Sequence, residues 1–302
     1  MSTMVFLHAH PDDEAIFTGG TMCRLVGAGH RVVLVLATGG EQGVGCCPLP
    51  AGRALADLRA TETMAAARLL GVARVVFLGY ADSGMPGDAA NDAPRAFGRA
   101  DVEEAARRVA VVCVEEAAVA LGSYDPDGIY PHPDHLQVHR VGARATAIAG
   151  LATTYEATVD YEYLHFVDVH LVEGASRSLA ERSEHSGVFP GSPLGFRTPS
   201  PHSGVSSGSP LGFRTPAQVG LPTAEITTVV DVRGCLEVKR AAMAAHASQI
   251  PETDLGVPAE RFAQVYGYEW FVRRGPRGLI EQAGLTDWGR HGAATPFASR
   301  PG

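Results

Sequence analysis

From residue 3 to residue 150 the chain alternates between apolar runs of strand length and stretches with helical periodicity. The second apolar run, RVVLVLATGG (residues 31–40), is the most restrictive. A strand with one face in water would alternate polar and apolar residues, and this one does not, so it requires cover on both faces. GRALADLRATETMAAARLLG (52–71) follows it and reads as an amphipathic helix stopped by glycine. ARVVFLGY (73–80) is a third strand, 100–116 a helix, 117–125 a strand and 132–150 a helix. This spacing predicts βαβ units. The expected fold is α/β, with a Rossmann-like, mostly parallel sheet and helices on both faces. After Gly150 the pattern changes. Residues 152–172 are rich in β-branched and aromatic side chains and predict one or two strands, 225–232 predicts another, and 235–249 predicts a helix. We read one domain over 1–302, with a core at 1–150 and a smaller mixed C-terminal part at 151–302.

Several classes of function are disfavoured. A net charge of −8 gives no basic face for nucleic acid or an anionic membrane. Neither a Walker loop nor G-x-G-x-x-G follows the first strand, so a nucleoside triphosphate or dinucleotide is unsupported. The five cysteines form no C-x-x-C pair, which predicts reduced thiols. The N-terminus shows no basic region or long apolar core of a leader, and no apolar run is long enough to span a bilayer. The expected location is cytoplasmic. Residues 174–222 are rich in Ser, Gly and Pro and contain GSPLGFRTP twice, within a repeat at 186–219. Two copies are too few for a solenoid. A duplication tolerated in a surface loop is the favoured reading, and a lid over a pocket is the sharper one.

The first strand, MVFL, runs directly into HAHPDDE (8–14). Ligands of open parallel sheets sit beyond the C-terminal strand ends, and this segment lies at one. A helix cap would explain one aspartate, but not His10, Asp12, Asp13 and Glu14 together. A divalent cation explains why such charge belongs near the interior. YDPDGIYPHPDHLQVH (124–139) follows the fourth strand and adds His132, Asp134 and His135 at an equivalent strand end. His10, Asp13 and His135 then form a two-histidine, one-carboxylate set of the kind that leaves one position open on a catalytic zinc. Asp12 is left over beside a ligand, and His132 on the other side.

The paired motifs AHPDDE and PHPDH closely resemble those of the LmbE-like, N-acetylglucosaminylphosphatidylinositol de-N-acetylase (PIG-L) superfamily. The resemblance extends over the first ~150 residues by the same βα order and resumes in VKRAAMAAHASQ and YGYEWFVR. It implies zinc bound by His10, Asp13 and His135, with Asp12 as general base. It implies that His132, protonated, stabilises the oxyanion or protonates the leaving amine, that Asp134 orients His132, and that Tyr130 reaches the tetrahedral intermediate. It also implies substrate contacts from Arg59, Asp82 and Met85. The implied reaction is hydrolysis of an N-acetyl or N-acyl amide on an amino sugar or pseudodisaccharide. The alternative is an amidase acting on a thiol-cofactor S-conjugate. A non-catalytic binding protein is a third reading, against which Asp12 and His132 both speak. Zinc and ferrous iron both suit these ligands, and a homo-oligomer is left open.

Other residues carry weaker readings. His8 is expected to pack behind His10, and His139 shares a helix face with His135 without belonging to the motif. Glu14 reads as orienting a ligand or capping a helix. Glu41 borders the pocket or is a plain loop carboxylate. His246 belongs to the core or to the pocket wall. Phe17, large and apolar just after the motif, suggests a more hydrophobic acyl group or aglycone.

Overall fold

The computed structural model describes residues 1–164 and 219–286, apart from residues 44, 47, 48, 50 and 51. The repeat at 186–219 lies outside the described residues but for its last position. Seven strands form one sheet in the order β3-β2-β1-β4-β5-β7-β6. They are β1 (Thr3–His8), β2 (Arg31–Thr38), β3 (Arg74–Tyr80), β4 (Ala118–Tyr124), β5 (Thr153–Thr158), β6 (Thr228–Asp231) and β7 (Tyr268–Arg274). The first five are parallel, while β7 runs antiparallel to both β5 and β6. The expected Rossmann-like sheet and mixed C-terminal segment are both present, and they join into one sheet.

The helices used below are α1 (Gly19–Gly27), α2 (Leu55–Leu70), α3 (Val102–Glu115), α4 (Pro133–Ala149), α5 (Leu236–Ala245) and α6 (Ala259–Tyr266). α1, α2 and α5 pack together, and α3 packs on α4. Helices on both faces bury β1 along its whole length and β2 from Val32 onward, which is why both strands are apolar without alternation. α2 ends as its sequence predicts, with Gly71 in the left-handed conformation (φ 75°). Close approach sets β4: Gly122 lies opposite Phe6, and a Cβ there would come 2.6 Å from the Phe6 ring. Among the described residues no helix is long and apolar enough to cross a membrane.

β1 and β4 are neighbours, yet the chain leaves β1 toward β2 on the opposite side. The strand order therefore reverses between them, and that crevice is the natural ligand position of a doubly wound sheet. HAHPDDE and YPHPDH leave the sheet at these two strand ends.

A buried ion pair ties the C-terminal segment to the core. Lys239 on α5 donates to Glu269 of β7 (2.6 Å), and both side chains are buried. The same carboxylate accepts the Gly20 and Thr21 backbone N–H groups, each at 2.7 Å, at the start of α1. An anion there satisfies two otherwise unpaired donors at the positive helix end. Lys239→Met would leave that carboxylate without its cation, and losing one partner of such a pair costs about 3–5 kcal/mol. Urea unfolding followed by circular dichroism should show that loss, with partial recovery in Lys239→Met/Glu269→Gln. Unchanged stability in the single variant would contradict the role given to this pair.

Candidate metal centre and catalytic residues

After His8 the chain turns sharply through Pro11 and Asp12 into one π-helical turn, Glu14–Thr18, before α1 begins. Asp12 has φ 103°, which a non-glycine residue rarely adopts. Its carbonyl accepts from both Ala15 N–H (3.0 Å) and Ile16 N–H (3.1 Å). Asp13, at the N-cap position, makes no side-chain capping bond. The aspartates are therefore not explained as caps.

Three electron-rich atoms face one another here. His135 Nε2 is 3.3 Å from His10 Nδ1, and Asp13 Oδ2 is 3.4 Å from each. All three side chains are buried. The other ring nitrogens fix the tautomers: His10 Nε2 faces Asp134 Oδ2 at 3.1 Å, and His135 Nδ1 faces the Gly128 carbonyl at 2.9 Å. Each N–H is thus directed outward, and the two lone pairs meet the Asp13 carboxylate. Ligands about 2.1 Å from a tetrahedral cation stand about 3.4 Å from one another, so the donor set fits a divalent cation in chemistry and in spacing. Burial opposes charge on His10, but the Asp82, Asp13 and Asp134 carboxylates raise its pKa well above the ordinary range. A proton and a cation compete for this face.

The supporting turns are built for this purpose. Asp125 Oδ1 accepts the Asp127 and Ile129 N–H groups (2.9 Å each), which holds Ile129 at φ 66°. Gly128 between them has φ 69°, and a Cβ there would meet His135 Cβ at 2.8 Å. Only glycine lets the chain come close enough to offer His135 its carbonyl. A second group, His10, Asp82, His132 and Asp134, also has ligand atoms within 4.8 Å of one another. Its carboxylates are already engaged. Asp134 accepts Ser83 Oγ–H (2.5 Å) and Ser83 N–H (3.0 Å), and Asp82 accepts Gly84 N–H (2.8 Å) and Gln42 N–H (3.1 Å). That group is a hydrogen-bond network behind His10. In the triad, Asp13 Oδ2 accepts the His10 backbone N–H (2.9 Å), which holds it facing the two ring nitrogens.

Asp12 lies beside the triad, with Oδ2 3.3 Å from Arg59 Nη2. Burial raises its carboxyl to about 6, against the pull of the Arg59 guanidinium. His132 stacks edge-on to His10, with ring centroids 4.5 Å apart. Its Nδ1 accepts the Asp134 backbone N–H at 3.1 Å, so the remaining proton sits on Nε2. Burial, then His10 and His135, push its pKa down to about 2. With Nδ1 accepting, the ring offers Nε2–H as its donor. Tyr130, half-buried, packs its ring 4.3 Å from that of His135.

The other expected site residues fall in different surroundings. The Asp134 carboxylate orients His10, and it is the Asp134 backbone that holds His132. Arg59 is buried behind Asp12, donating to the Gly40 carbonyl (2.6 Å) and to that of Pro11, so it braces the motif from within. Asp82 is likewise buried, and its N–H donates to Glu41 Oε1 (3.0 Å), clipping the loops after β2 and β3 together. Met85 alone of the three expected substrate contacts is exposed. Phe17 is buried, its ring 6.3 Å from that of Tyr124. His8 bridges Tyr124 Oη and Thr18 Oγ1, at 2.9 Å each, as a packed histidine should. His139 turns to the Tyr124 carbonyl (3.0 Å) and is no ligand of this set. Sequence reasoning missed Ser83 and Asp125, whose partners lie on other turns or depend on local backbone geometry.

An α/β sheet whose central switch point carries two imidazoles and a carboxylate turned on one another, with a further acid alongside, has the donor set of a metal-binding site. The chain belongs to the GlcNAc-PI de-N-acetylase (PIG-L) family, whose model matches residues 5–146. It is 35% identical over 286 residues to a 1D-myo-inositol 2-acetamido-2-deoxy-alpha-D-glucopyranoside deacetylase of Salinispora arenicola, covering 89% of this chain and 83% of that one. A protein of the same name, numbered 2, from Catenulispora acidiphila is 46% identical over 175 residues, covering 55% of this chain and 58% of its own length. Among solved structures, the N,N'-diacetylchitobiose deacetylase of Pyrococcus horikoshii shares the fold, with a TM-score of 0.52 and 20% identity over 91% of this chain and 84% of that one. The chain is thus an enzyme, an amide hydrolase of the N-deacetylase class.

Asp134→Ala would leave the His10 N–H without its acceptor and release the ring. Loss of such an outer partner typically costs about 10–100-fold in metal affinity. Chelator competition with Zn²⁺ should show this loss. Unchanged affinity would mean that Asp134 does not orient His10.

Proposed function

We propose that this chain is a zinc-dependent deacetylase that removes the acetyl group from an N-acetylglucosamine unit linked to inositol. The observation that carries the reading is the buried triad of His10 Nδ1, Asp13 Oδ2 and His135 Nε2, at 3.3–3.4 Å separations, with Asp12 beside it. The substrate class rests on the names of relatives that match along most of the chain. Those names favour deacetylation over the thiol-conjugate amidase.

A cation held by His10, Asp13 and His135 would supply Lewis acidity toward the amide carbonyl and toward water. Asp12, basic for an aspartate, takes a proton from the attacking water. The carbonyl carbon becomes tetrahedral, and its oxygen gains negative charge. His132 Nε2–H then donates to that oxygen, a bond that strengthens as the charge develops. When the C–N bond breaks, the proton held by Asp12 passes to nitrogen, and acetate and the free amine leave. A neutral His132 needs no proton of its own in this scheme, and Arg59 keeps Asp12 aimed throughout.

General-base assistance of this kind is worth about 10²–10⁴ in rate. Asp12→Ala should therefore lower amine release from the N-acetylglucosaminyl-inositol substrate by about that factor while retaining one equivalent of zinc. Fluorescamine assay and metal analysis would check both. Persistent turnover in this variant would exclude Asp12 as the base. Chelation should abolish parental activity, and added zinc should restore it.

A further inference from the structure

We infer that His246, through Glu14, is a positioning residue that holds the catalytic Asp12 in its strained conformation; this rests on Asp12 being the base. The chain of contacts is short. Asp12 N–H donates to Glu14 Oε2 at 2.9 Å, and Glu14 Oε1 is 2.6 Å from His246 Nε2. Glu14 and His246 are both fully buried, and they stand 232 positions apart. His246 Nδ1 is buried and meets no hydrogen-bond partner among the described residues. Among the described residues the ring's side-chain hydrogen bonding is directed to Glu14.

A buried carboxylate–imidazole pair is a poor device for stability, because the cost of desolvation offsets much of the attraction. Its location supplies the reason for it. Asp12 sits at φ 103°, and conformations of that kind persist only where the surroundings enforce them. Glu14 is the side chain that captures the Asp12 backbone N–H, while Arg59 fixes the carboxylate from the other side. Glu14 can do this only if its other oxygen is anchored, and His246 is the anchor. His246 is itself fixed at the end of α5. Two residues on, Ser248 donates its N–H (2.9 Å) and its hydroxyl (2.7 Å) to Glu62 of α2. The order of dependence runs from α2 through the turn after α5 to His246, Glu14 and the backbone of Asp12. Neither Glu14 nor His246 belongs to either cluster of facing ligand atoms among the described residues, so the effect falls on the aim of the base.

The test compares His246→Gln with His246→Met, side chains of similar length that differ in having an N–H donor. The Gln variant should keep kcat within about threefold of the parent, because its amide can still reach Glu14. The Met variant should lose about 30-fold in kcat, with KM within twofold and zinc still at one equivalent. In the Met variant the Asp12 amide should also exchange faster with solvent, a readout independent of turnover. If the Met variant does not fold, His246→Asn, too short to reach Glu14, should show the same loss. Equal kcat in the donor and non-donor variants would overturn the proposal, as would loss of zinc in step with kcat. A parent lacking deacetylase activity, or Asp12→Ala retaining it, would instead defeat the underlying reading.

Discussion

Two imidazole lone pairs and a carboxylate oxygen meet within 3.4 Å in the interior of this protein. With neither a proton nor a cation between them they repel one another, and the low-dielectric surroundings strengthen the repulsion. A cation turns the same arrangement into a strong site, and much of the local architecture serves to keep these atoms facing inward. Asp134 and the Gly128 carbonyl hold the outer ring nitrogens, Ser83 holds Asp134, and Asp125 folds the turn that presents Gly128.

The fold provides the place. Reversal of strand order between β1 and β4 opens a crevice at their C-terminal ends, and the two motifs fill it from opposite sides. Two of the three non-glycine residues with positive φ among the described ones, Asp12 and Ile129, sit in these motifs. Backbone strain is concentrated where a side chain must be aimed, and buried acceptors, Glu14 and Asp125, enforce it.

Much of this was legible in the sequence because the periodicity was clean. Uninterrupted apolar runs such as 31–38 declared doubly covered strands, and the glycine at 71 marked the end of a helix. The ligands were legible because the chemistry is compressed into two short stretches at strand ends. What could not be read depends on partners distant in the chain. Nothing near Glu14 points to His246, and nothing near Lys239 points to Glu269. The resemblance implies substrate contacts from Arg59 and Asp82, but a short motif carries no information on burial, and both side chains are engaged with the protein's own backbone. The antiparallel placement of β7 between β5 and β6 was equally hidden, since strand order is a long-range property.

The central claim is that one cation is shared by His10, Asp13 and His135. Anomalous diffraction at the zinc edge, from crystals of the zinc-loaded full chain, tests it directly. The account predicts a single strong peak about 2.0–2.2 Å from His10 Nδ1, Asp13 Oδ2 and His135 Nε2. A peak lying instead among Asp82, His132 and Asp134 would contradict it.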